Sequence, residues 1–110
     1  MNLMTLEMNE PLFLEKSQIK DNTFARQFEF LIEGKLVAVE YALQERKLFL
    51  TKITCFEGFD CEETLNAFLK IIMEIAYERK LKVVPTYPKI ATFMRKNPTY
   101  KDLLPPGIKI

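Results

Sequence analysis

The chain contains no histidine. Imidazole general bases, histidine metal ligands and Ser-His or Cys-His nucleophiles are therefore excluded from it. Serine occurs once, as Ser17, in a polar, turn-like stretch near the N-terminus. Gly34, Gly58 and Gly107 are isolated from one another, so no glycine-rich phosphate cradle of the dinucleotide or Walker type can be built. Cys55 and Cys61 have five residues between them, a spacing that fits no familiar zinc or redox motif. They read as buried or half-buried free thiols, and no metal is expected. No apolar run approaches the roughly 18 residues needed to cross a bilayer. The N-terminus, MNLMTLEMNEPLFLEK, places three glutamates before its first lysine and lacks the basic start of a secretory signal. A cytoplasmic protein that avoids membranes is the expectation.

What is present suits one compact unit. The 110 residues are 48% hydrophobic and 28% charged, with a net charge of +1, which is ordinary for a single water-soluble domain with one core. The expected domain spans 1–110, with 1–20 an N-terminal extension or strand and 105–110 a C-terminal tail. The charge is unevenly spread. Residues 79–110 hold eight cations against Asp102 alone, a net of +7, and leave −6 on the remainder. Such asymmetry marks an anion-binding face, a basic end packed beside an acidic part, or simply solvated charge.

Periodicity changes once along the chain. Between Phe24 and Ile32, Arg26, Phe28, Phe30 and Ile32 alternate against Gln27, Glu29, Leu31 and Glu33, which is the pattern of a strand. Glu33-Gly34-Lys35 supplies a turn. Leu36 to Leu43 then returns with Val37, Val39 and Tyr41 on one face. Gln44-Glu45-Arg46 turns again into Lys47 to Cys55, where Leu48, Leu50 and Lys52 oppose Phe49, Thr51 and Ile53. The period then becomes helical. Leu65, Phe68, Leu69, Ile72, Ile75 and Ala76 form one stripe within 61–79, behind Asp60 as N-cap with Glu63 three residues on. Leu81 to Pro85 reads as a strand covered on both faces, parallel to the one before the helix. Pro88 opens a second helix over 88–96, carrying Ile90, Phe93 and Met94. Thr99 with Asp102 is expected to cap a last turn. The fold class is α+β, a mixed layer with helices against one sheet.

The order LKVVPTYPKIATFMRKNPTYKDLL over 81–104 adds a resemblance. An alanine near a helix end (Ala76), then LKVVP, then a helix closing on Arg95, Asn97, Pro98 and Tyr100, resembles the C-terminal half of the smallest members of the GNAT acetyltransferase superfamily. The resemblance covers about Phe24 to Leu104. It implies a GNAT-like sheet, acetyl-CoA as cofactor, and transfer of its acyl group to a small amine or a protein amine. Backbone N–H groups near Ile53, Thr54 and Cys55 would polarise the thioester carbonyl. Tyr87 would be the acid that protonates the leaving thiolate, and Glu57 or Glu40 a base. Cofactor contacts would come from Cys61, Glu62, Glu63 and Thr64 at the first helix, and from Phe93, Lys96 and Asn97 on the second. Lys89, Arg95 and Lys96 would approach a CoA 3′-phosphate.

The departures fall at the working positions. Lys52 stands at the place of the family's histidine-threonine motif, and Tyr87 where several relatives carry a cysteine. The family's Gly-x-Gly loop, which holds the CoA pyrophosphate at a helix N-terminus, is replaced by Cys61-Glu62-Glu63. Side chains there obstruct the backbone's approach. Each carboxylate near a phosphate costs about 1 kcal/mol in water-like surroundings at 4 Å, and about 4 at an effective dielectric of 20. Simpler roles exist for each residue: first-turn acids satisfying the dipole for Glu62 and Glu63, a boundary aromatic for Tyr87, core for Phe93, solvated charge for the lysines. Three functions remain open. The first is a GNAT-type N-acyltransferase with weak CoA binding. The second is a catalytically inactive GNAT-like domain that binds a protein partner or a second copy of itself. The third is a nucleic-acid module, against which stands the lack of any aromatic-basic repeat or reader motif.

Overall fold

A computed structural model describes residues 14–59 and 62–110. The proposed N-cap Asp60, the loop residue Cys61 and most of the N-terminal extension lie outside these residues. Five strands and two helices follow in the order β1 (Lys20–Asn22), β2 (Gln27–Ile32), β3 (Lys35–Gln44), β4 (Lys47–Thr54), α1 (Glu62–Arg79), β5 (Lys82–Pro85) and α2 (Pro88–Lys96). Short 3-10 segments occupy Lys16–Gln18 and Pro98–Leu103. The strands form one mixed sheet in the order β1-β2-β3-β4-β5. The first four run antiparallel, and β5 lies parallel to β4.

The alternation seen in the sequence becomes a buried and an open face. Phe28, Phe30, Val37, Val39, Leu48, Leu50 and Val83 point inward and are buried. They share one core with Phe68, Leu69, Ile72 and Ala76 of α1 and with Ile90, Phe93 and Met94 of α2. Phe30 meets Phe68 edge-on with ring centroids 4.7 Å apart, a geometry favoured by the ring quadrupoles. Burial of α1 extends past its expected stripe to Ile71 and Met73. The 3-10 segment over 98–103 also packs on α1 and is pinned there by the Tyr77 hydroxyl, which donates to Asp102 Oδ1 at 2.7 Å. Asp102 therefore serves Tyr77 rather than a cap with Thr99.

The turns fit their backbones. Glu33 and Gly34, at φ 51° and 80°, join β2 to β3, as a two-residue hairpin requires. Phe24, expected in a strand, lies fully exposed in the turn between β1 and β2, where Ala25 donates its N–H to Asn22 Oδ1 at 3.0 Å and Arg26 takes φ 58°. Two further differences bear on the site. β5 is an edge strand with Val84 only half-buried and Lys82 exposed, so the apolar run is covered on one face. In β4 a bulge interrupts the ladder: Glu40 pairs with Lys52 and Tyr41 with Leu50, leaving Thr51 as an extra residue. The extra residue reverses the phase of the strand. Ile53, expected opposite Leu48 and Leu50, is thereby turned to their side, beside Val39, and packs against the core.

Candidate functional site

The only parallel pair among the described strands creates the site. Pairing of β4 with β5 ends at Leu50 and Pro85, whereas β4 runs on to Thr54. The chain leaving β5 stays attached for one step, as Tyr87 N–H donates to the Leu50 carbonyl at 3.2 Å and Thr86 Oγ1 donates to the same oxygen at 3.0 Å. It then departs as α2, with Tyr87 as N-cap and Pro88 in the first turn. Residues 51–54 of β4 thus face an open fork. Both α1 and α2 begin at the carboxyl ends of these two strands, the position where open α/β sheets hold ligands.

A cavity of about 390 Å³ fills the fork, lined by Ile53, Cys55, Phe59, Glu62, Leu65, Tyr87 and Lys89. Its size lies within the range of small-molecule sites. Next to it runs a groove of about 270 Å³ between α1 and α2, lined by residues including Asn66, Thr92, Phe93, Lys96 and Asn97. Glu62, Leu65 and Lys89 line both spaces. The Lys89 ammonium lies 3.5 Å from Glu62 Oε2, with both side chains more than half exposed. This pair stands at the junction of cavity and groove.

Of the residues singled out in the sequence, Ile53, Cys55, Glu62 and Tyr87 meet around the fork, while Phe93, Lys96 and Asn97 meet in the groove. Glu63 is exposed in the first turn of α1. Thr64 is buried, and Thr54 is half-buried opposite Ala38. Glu40 lies on the outer face of the sheet, between Gln27 and Lys52. Glu57 is exposed in the turn after β4. Neither of these two lines the fork. Asn97 donates its side-chain N–H to the Phe93 carbonyl at 2.8 Å, which satisfies a carbonyl of the last helical turn. Phe93 is buried and stacks on Tyr100.

Reasoning on sequence missed Phe59, Leu65, Asn66 and Thr92. Leu65 and Phe59 carry only an apolar signal, shared with the whole core, and Asn66 and Thr92 only ordinary surface polarity. Desolvation pushes the Cys55 thiol up from its usual value, against the opposing pull of the Lys89 charge. Cys55, read in the sequence as buried or half-buried, is exposed.

Among the described residues no group of three or more Cys, Asp or Glu side chains is placed to hold a metal ion. No described helix is long and apolar enough to cross a membrane. No family model matches the chain, and no curated protein matches it in sequence.

Proposed function

We propose that the chain is a GNAT-type N-acyltransferase domain that seats an acyl-CoA thioester in the β4–β5 fork. The observation that supports this reading most is the fork itself. An antiparallel meander leads through a helix into a short parallel strand, whose early end leaves a pocket of mixed polarity with one tyrosine on its wall. In this reading the bulge at Thr51 directs the end of β4 toward the ligand, a use of bulges common beside active sites. Strand-edge N–H groups of residues 53–55 polarise the thioester carbonyl.

The acceptor amine attacks the carbonyl carbon and forms the C–N bond. Collapse of the tetrahedral centre breaks the C–S bond, and the Tyr87 hydroxyl hands its proton to the departing thiolate. The amine's surplus proton leaves to water at the open mouth, and the phenol is restored from the same water. Glu40 and Glu57 have no part in this version, since neither lines the fork.

A second reading, a catalytically silent domain that binds a protein partner, is favoured by Glu62 and Glu63. Both acids occupy the first turn of α1, where a phosphate would otherwise find free N–H groups. One comparison separates the two. Calorimetry and turnover with acetyl-CoA should reveal weak binding and slow transfer, and Tyr87→Phe should lower turnover by roughly 10² with little change in melting temperature. Transfer that survives Tyr87→Phe removes Tyr87 from the mechanism. Absence of both binding and turnover at millimolar acetyl-CoA leaves the silent domain.

A further inference from the structure

Both helices pack on one face of the sheet, and we infer that the opposite, open face joins two copies of the chain about a two-fold axis running along the strands between β3 and β4. This does not depend on the reading of the fork. The first ground is the composition of the face. Phe28, Val37, Val39 and Leu50 point toward the helices, so their neighbours along each strand point away. On β3 these are Leu36, Ala38, Glu40 and Ala42; on β4 they are Phe49, Lys52 and Thr54, with the phase set by the bulge at Thr51. Leu36 is exposed, as is its β2 neighbour Leu31, while Phe49 and its β5 neighbour Val84 are half-buried. An open antiparallel face is normally polar, and a parallel pair is normally covered on both sides. Phe49 and Val84, in register on the parallel pair, break both rules.

The second ground is that this face complements itself. Its acids, Glu29 and Glu40, lie on β2 and β3, and its cations, Lys47, Lys52 and Lys82, lie on β4 and β5. Along the central ladder Glu40 stands level with Lys52, and Ala42 with Phe49. The axis lays β3 of one copy over β4 of the other and keeps these levels. Each Lys52 then meets Glu40 of the second copy, and each Phe49 ring meets the Ala42 methyl group of the second copy. An isologous contact needs a surface that matches itself in this way. Within one chain Glu40 and Lys52 form no ion pair with each other, nor with any other described residue, so both charges are available. The two sheets stack with their strands aligned, a standard packing of sheet on sheet. The third ground is that the sheet edges are closed to pairing. β1 has three residues and begins Lys20-Asp21, and β5 has four, carries Lys82 and ends on Pro85. Short, charged strands and proline discourage edge-to-edge association, which leaves the face.

Charge reversal tests the axis directly. Sedimentation velocity on the full chain should show a dimer at micromolar concentration. Glu40→Lys sets a lysine against Lys52 of the second copy, and Lys52→Glu sets a glutamate against Glu40 of the second copy. Each variant alone should weaken the dimer by about 10² or more, since like charges face each other twice, and circular dichroism verifies that each is folded. An equimolar mixture of the two variants should dimerise again, because the mixed pair restores opposite charges at both contacts. Phe49→Ala should also weaken the dimer, and no charge partner should rescue it. A wild type that stays monomeric at millimolar concentration overturns the proposal and leaves the face to residues 1–13 or to another protein. A dimer that both charge variants retain lies on some other surface and overturns it as well. Variants that dissociate singly and fail to associate when mixed overturn the two-fold pairing of Glu40 with Lys52.

Discussion

Lys80 carries a side chain where the backbone suits glycine. It sits at φ 60°, directly after α1. Its N–H donates to the Tyr77 carbonyl at 3.1 Å, and Leu81 N–H donates to the Ala76 carbonyl at 2.9 Å. This double closure is the Schellman arrangement, whose left-handed residue is usually glycine. A β-carbon in that conformation costs about 1 kcal/mol. Lys80→Gly should therefore raise stability by about 1 kcal/mol, read as a higher urea midpoint at unchanged slope; a lower midpoint would assign the lysine a contact of its own. Single residues also show how far the site was legible. Tyr87 and Glu62 stood out in the sequence because chemistry-bearing residues are few in a chain without histidine. Lys89 was visible as one cation among eight in the basic C-terminal third and, through the resemblance, as a contact for a CoA 3′-phosphate. Its meaning depends on Glu62, which is far away in sequence and comes to 3.5 Å only through the crossover.

At the scale of elements, the strands with an apolar signal, alternating in β2 to β4 and continuous in β5, were legible, and the one without any was not. β1, Lys-Asp-Asn, has no apolar residue to declare its period. It is held by side chains instead: Tyr41 donates its hydroxyl to Asp21 Oδ1 at 2.7 Å, and the Arg79 guanidinium donates to Asp21 Oδ2 at 2.8 Å. The edge strand, the middle of the sheet and the end of α1 are thus tied at one carboxylate. Burial and the bond to Asp21 push the Tyr41 phenol up to about 12 from its ordinary 10.0. Because the folded state holds this proton more tightly than the unfolded one, its contribution is present in full below about pH 10. It is lost as the pH rises from about 10 to about 12. Tyr41→Phe should cost about 1 kcal/mol at neutral pH, and its deficit against wild type should close across that interval in melts recorded from pH 9 to 12. A deficit that stays constant with pH would detach the Tyr41–Asp21 bond from stability. The bulge at Thr51 was equally invisible to pattern. An inserted residue leaves no mark in the sequence beyond a phase error, and Ile53 was assigned to the wrong face for that reason.

Across the whole molecule, the lopsided charge is partly resolved by packing. Arg79 reaches Asp21 and Lys89 reaches Glu62, so the basic third lies against acids from the rest of the chain. Helices, sheet and their parallel junction were legible because period, prolines and length constrain them together. Which faces remain open was not, since that depends on β5 lying at an edge and on both helices sharing one core. The spatial order of the strands is also their order along the chain, and this has a consequence in time. No strand has to be threaded between two already paired neighbours, and the β2–β3 and β3–β4 ladders need only tight turns to form. Assembly should therefore begin in the meander and close with the C-terminal crossover, at rates typical of small mixed domains. In stopped-flow refolding, Val37→Ala in the buried centre of the meander should chiefly slow the folding limb. Ile90→Val, on the buried face of α2, should chiefly hasten unfolding. The reverse allocation would mean that α2 docks first. As it stands, the fork would be the last part of the molecule to come into existence.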